Sequence, residues 1–286
     1  MRILQQAVFI FIIIIFLAAI PAIIEINPLE KNITWNLSQM DQMYVEFIRE
    51  LARGSLGTYQ LGGQVRYIAA DITKNFFTSF SILLVGVLAA VVTGLLFGLF
   101  LSRFTVTRII NILLNILAAI PDFILIIFSL VLAIKIYEVT GVRMIAFRPD
   151  AGALNTWFPM MLTAIAPTLY MFKLIAVKYY QTSGEDYIRT AVSKGMPANY
   201  INFQHVYKNI EPFIIAELTK VVSLAIGNLF IIEYLLNVPG VTKFIFQSNQ
   251  FQPITIGLFS MLLISLIVYF SIRIVLYLFK RGLIYE

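Results

Sequence analysis

FFTSFSILLVGVLAAVVTGLLFGLFL, residues 76–101, contains neither a charged side chain nor a proline. A helix rises 1.5 Å per residue, so this run is long enough to cross the roughly 30 Å hydrocarbon core of a bilayer. Inside lipid the backbone N–H and C=O groups find no water, and a helix satisfies them within its own segment. Further apolar segments lie at 7–24, 109–137, 158–177, 213–236 and 254–279. The 286-residue chain is 60% hydrophobic and 13% charged, against roughly 25% charged residues in a soluble domain. The fold class that follows is all-α and polytopic, a membrane protein of six transmembrane helices.

An even number of crossings puts both termini on one side, and basic residues choose the side. Arg103 and Arg108 fill the link after the second segment; Lys178, Arg189, Lys194 and Lys208 fill the link after the fourth; Lys280 and Arg281 end the last. These links and both termini are expected in the cytoplasm. The net charge of +6 is then explained by headgroup-facing positions, with no nucleic acid partner. The opposite side receives 25–75, a stretch near Arg143 and Arg148, and a last loop carrying Lys243. Organisation follows: residues 1–75 form an N-terminal transmembrane helix with an external segment, and 76–286 form a core of five helices.

The first segment also admits a cleaved-signal reading, from Met1-Arg2 and the small pair Ala18-Ala19. It lacks a polar stretch before Pro21, and its length suits a retained helix. In the external segment Trp35, Tyr44, Phe47 and Tyr59 alternate with charges, so it is expected to fold against the outer mouth, with 36–49 a candidate docking stretch. The third segment is too long for one crossing. Pro121 should divide it, leaving Asn111 and Asn115 on an elbow along the inner surface and starting the crossing near Asp122.

Much chemistry is excluded. There is no cysteine, hence no disulfide or thiolate site. No phosphate-cradling Gly-x-x-x-x-Gly-Lys-Ser/Thr occurs, so ATP is not held in a P-loop here. The single histidine, His205, makes no metal cluster and reads as a surface or packing residue. Lys135, Lys173, Glu233 and Arg273 fall near segment ends, where long side chains reach the interface. Glu217 and Lys220 stand at i,i+3 in the fifth segment and read as a structural pair. Asp122 reads either as a carboxylate favoured at a helix start or as a polar lining of a path. Asp122, Glu217 and Glu233 are the candidates for a translocation path or gate. An ion-coupled secondary transporter, which needs ionisable groups at mid-membrane depth, is the alternative of another class.

The link between the fourth and fifth segments reads GEDYIRTAVSKGMP, 184–197. Ile188, Ala191 and Val192 recur at helical spacing, Glu185 and Asp186 open the run and Gly195 closes it. So short an amphipathic helix needs a partner surface.

This stretch resembles the EAA loop of binding-protein-dependent ABC importer permeases, in the form Glu-Asp-Tyr-Val-Arg-Thr-Ala-x-x-Lys-Gly of the oligopeptide/dipeptide/nickel branch. Gly54-Ser55-Leu56-Gly57 with Gly63-Gln64-Val65, Ile120-Pro121-Asp122-Phe123, and Glu233-Tyr234 with Pro239-Gly240-Val241 resemble further stretches of that family. Asp122 stands where the family has Ser, and Arg189 where the general EAA pattern has Glu. The resemblance implies a type I importer permease fold and a non-catalytic subunit without a cofactor of its own, ATP and Mg being held by partners. It implies a second permease chain, two ATPase subunits and an extracytoplasmic substrate-binding protein. Glu185, Asp186, Arg189, Thr190, Ala191, Lys194 and Gly195 would then form a coupling helix on the ATPase. Peptides are the cargo expected, with nickel or metal chelates as the alternative.

Overall fold

The computed structural model describes residues 2–27, 32–100, 112–113, 116–117, 119–149 and 151–283. Arg103, Arg108 and the elbow with Asn111 and Asn115 lie outside them. The chain begins with α1 (Arg2–Ile23) and a hairpin of β1 (Ile24–Asn27) and β2 (Asn32–Trp35), then α2 (Gln39–Ala52) and a second hairpin, β3 (Thr58–Leu61) and β4 (Gln64–Tyr67). It continues as α3 (Ile68–Phe100), α4 (Asp122–Thr140), a 3-10 turn at Gly152–Asn155, α5 (Trp157–Ser183), α6 (Asp186–Ser193), α7 (Ala198–Leu235), α8 (Val241–Phe246) and α9 (Phe251–Leu283).

Five described helices are long and apolar enough to cross a membrane, in α3, α4, α5 with its preceding turn, α7 and α9, and Val8–Ile23 of α1 forms a shorter apolar helix. The fold is the all-α polytopic one the hydropathy dictates. Pro121 stands immediately before α4, with φ −55° and ψ 137°; the missing N–H and the extended ψ set the start of that helix. The hairpins are additions that hydropathy does not announce. Gly62 and Gly63, with φ of 58° and 78°, make the two-residue turn between β3 and β4, a turn type that requires positive φ at both positions.

The chain packs as two compact units. In the first, residues 1–79 with 239–264, an aromatic core forms where Tyr59 meets Phe244 edge-on at 5.4 Å and Phe47 meets Phe251 at 5.6 Å. The Gln250 amide clips the edge of β3, accepting from the Gln60 N–H at 3.1 Å and donating to its carbonyl at 3.0 Å. Phe11 of α1 stacks on Phe259 at 4.6 Å.

In the second unit, residues 80–238 with 265–286, α3 packs on α5 through glycines. A Cβ at Gly86 would meet Thr163 at 3.1 Å, one at Gly94 would meet Met171 Cβ at 2.7 Å, and one at Gly98 would drive into Ile175. The offset along the chain is the same at all three contacts, so the two helices run parallel and in step. Without a hydrophobic driving force between helices in lipid, close backbone approach at small residues supplies the packing. By contrast, α4 buries only Ile126 and Ala133.

Candidate functional site

Helix α6 follows α5 after Gly184 and Glu185 alone. Glu185 occupies the N-cap in extended conformation (φ −71°, ψ 148°), and Asp186 opens the first turn, where negative charge meets the positive end of the helix dipole. The other end is a Schellman closure: the Gly195 N–H donates to the Val192 carbonyl at 2.9 Å and the Met196 N–H to the Ala191 carbonyl at 3.3 Å. That geometry needs a left-handed residue, and Gly195 has φ 73°.

Only Ile188 and Ala191 of α6 are buried, against the π-helical turn Ile201–Tyr207 at the start of α7 and the end of α5. Val192, expected on the same apolar stripe, is 61% exposed. The helix is tangent to its support and the contact is two residues wide, so a side chain one position around the wheel is left outside. Glu185, Asp186, Arg189, Thr190, Lys194 and Gly195 are all exposed, while Ala191 faces inward. Arg189 pairs loosely with Asp186 at 3.5 Å, both side chains largely in solvent, an arrangement that contributes little to stability. The guanidinium therefore remains available to an external carboxylate at small cost.

Tyr187 ties α6 to α7, its oxygen accepting from Asn209 Nδ2 at 3.1 Å while the same amide donates to the His205 carbonyl at 2.7 Å. Burial, and next the Glu185 carboxylate, raise the Tyr187 phenol above its ordinary pKa. His205 is half-buried with Tyr200 edge-on at 5.8 Å, a packing environment. Tyr179 donates to Asn202 Oδ1 at 3.2 Å, joining α5 to the same π-helical turn; such turns, wider than α, are frequent at functional sites.

The intramembrane candidates are not brought to one place. Asp122 sits half-buried in the first turn of α4. Glu217 and Glu233 share α7 but are separated by about 24 Å of helix rise. Glu217 and Lys220 converge on a residue the sequence did not single out: the Tyr170 hydroxyl donates to Glu217 Oε2 at 2.5 Å, and the Lys220 ammonium lies 4.5 Å from the ring centroid. Glu233 is fully buried where α7 ends. There the Val238 N–H returns to the Glu233 carbonyl at 3.0 Å, and Asn237, with φ 54°, donates from Nδ2 to the Phe147 carbonyl at 2.9 Å. Two further features escaped sequence reasoning. The Gly94 and Gly98 spacing was a legible Gly-x-x-x-Gly signal, whereas the Lys280–Glu211 pair at 2.8 Å joins residues too distant in sequence to leave one.

Membrane-spanning helices, two of them glycine-packed in parallel, and a short solvent-facing helix define a polytopic membrane protein. The chain belongs to the family described as binding-protein-dependent transport system inner membrane component, which matches residues 90–285 and so includes all of α6. It is 25% identical over 266 residues to the dipeptide transport system permease protein DppB of Bacillus subtilis (strain 168), a match covering 90% of this chain and 81% of that protein. It is thus a permease component of an ABC importer, a membrane subunit rather than a catalytic one.

Proposed function

We propose that this chain forms half of the translocation path of a peptide importer and that α6 is the helix through which separate ATPase subunits drive it. The observation that carries the reading is the geometry of α6: a capped helix that buries only Ile188 and Ala191 and is tied to α7 by Tyr187, with Glu185, Asp186, Arg189, Thr190 and Lys194 turned to solvent. A charged face of that kind suits a groove bearing carboxylates, to which Arg189 offers a planar, bidentate donor. Since α6 joins α5 within two residues, displacing it displaces α5, and ATP-driven closure of the motor would rock the spans between two states.

The complex in this reading contains a second homologous permease chain, two ATPase subunits that bind ATP and Mg, and an extracytoplasmic binding protein. Both termini and α6 are cytoplasmic, and 25–75 lies outside, where 36–49 is the stretch offered to the binding protein. The name of the dipeptide permease relative supports peptides as cargo.

The test is ATP hydrolysis by the assembled complex in lipid. Arg189→Glu and Gly195→Pro should each abolish binding-protein-stimulated hydrolysis and uptake of a labelled dipeptide. Full stimulation in both variants would remove α6 from the coupling role. Uptake of a nickel chelate without dipeptide uptake would reassign the cargo, and uptake that follows an ion gradient and ignores ATP would reassign the class.

A further inference from the structure

An open cavity of about 240 Å³ in the first unit is lined by Tyr59, Arg66, Asp71, Lys74, Lys243 and Gln247, among others. They come from the β3–β4 hairpin, the start of α3, and α8 with the residue after it. Tyr59, 2% exposed, is fixed edge-on by Phe244 and donates its hydroxyl to Asp71 Oδ2 at 2.8 Å. Arg66 reaches the same oxygen at 3.3 Å. The one lining carboxylate is thus engaged by two donors, and three basic side chains outweigh it. Burial pushes the Lys243 ammonium below its ordinary pKa, a desolvation cost that an incoming anion offsets.

We infer that this cavity is a carboxylate-binding pocket that receives an acidic side chain of the extracytoplasmic binding protein. The inference rests on the proposed orientation, in which the β3–β4 hairpin and α8 carrying Lys243 face outward. The cavity's form favours a docked side chain over free cargo. Lys74 is exposed and the Arg66 side chain is 47% exposed, so the site opens to solvent instead of closing around a ligand. Its volume also falls below the roughly 300–1,000 Å³ of pockets that enclose small molecules.

The experiment uses the complete complex in nanodiscs and reads the binding-protein concentration that half-saturates ATPase stimulation, at several salt concentrations. Lys74→Glu combined with Lys243→Glu should raise that concentration about ten-fold and flatten its salt dependence. Lys74→Arg combined with Lys243→Arg should restore both, which a merely misfolded variant would not predict. An unchanged half-saturation and salt slope in the reversed variant overturns the inference. So does a defect confined to uptake of peptides with a free C-terminus and absent for amidated ones, which assigns the pocket to cargo. Lys74→Cys labelled by an impermeant maleimide separates the two levels. Labelling only in inverted vesicles overturns the outward orientation and the inference with it, whereas outward labelling with unchanged half-saturation overturns the inference alone.

Discussion

Gly195 is the residue on which the shape of α6 depends. Its φ of 73° is open to glycine and strained for other residues, and nothing stands within 4 Å of a Cβ built there. Alanine would therefore cost about 1 kcal/mol through backbone strain alone. Native-state hydrogen exchange should show amides 190–196 opening about five-fold faster in Gly195→Ala; unaltered exchange would mean that the closure contributes nothing. Tyr187→Phe removes one of the two acceptors of the Asn209 amide and should destabilise the junction by about 0.5–1.5 kcal/mol, read as a loss of protection confined to 186–209. At this scale the sequence was legible where local chemistry decides: the acidic start and glycine stop of α6 lie where Glu185, Asp186 and Gly195 indicated. Val192 was misread because periodicity reports which residues could share a face, not how wide the supporting surface is.

Among the elements, the spans were legible and their ends were not. Hydropathy starts the second segment at residue 76, yet α3 begins at Ile68, because Asp71, Thr73, Lys74 and Asn75 extend the helix beyond the apolar run. The fifth segment shows the same effect: Pro212, which precedes the apolar run, lies inside α7, in the turns that follow the π-helical stretch Ile201–Tyr207. The α3–α5 contact needed the structure, since a Gly-x-x-x-Gly spacing does not name its partner. A Gly98→Ala substitution drives its methyl against Ile175 and should lower stability by about 1–3 kcal/mol. Thermal unfolding of the solubilised complex should show that Ile175→Ala, harmful alone, costs less in the Gly98→Ala background, with a coupling above about 0.5 kcal/mol. Additive effects would mean the helices do not touch there.

For the whole molecule, the exposed apolar spans and the solvent-facing α6 describe a subunit that functions in company. Purified alone it should hydrolyse no ATP, and hydrolysis should appear on adding the ATPase partners; activity of the chain by itself would refute its assignment as a non-catalytic component. Within the second unit the Lys280–Glu211 pair joins the end of α9 to the part of α7 just after its π-helical turn, with Glu211 only 6% exposed. Lys280→Met strands that carboxylate and should cost about 2–3 kcal/mol, less than a fully buried pair because the lysine is partly solvated. Adding Glu211→Gln should recover much of the loss in the unfolding midpoint. The glycine seam between α3 and α5 has one more consequence. With no α3 side chain at these contacts, the two helices meet through Thr163, Met171 and Ile175 of α5 alone and should move as a single strut when α5 is displaced at Ser183. Spin labels placed by Val92→Cys and Val177→Cys should keep one separation through the nucleotide cycle, however far the strut itself travels.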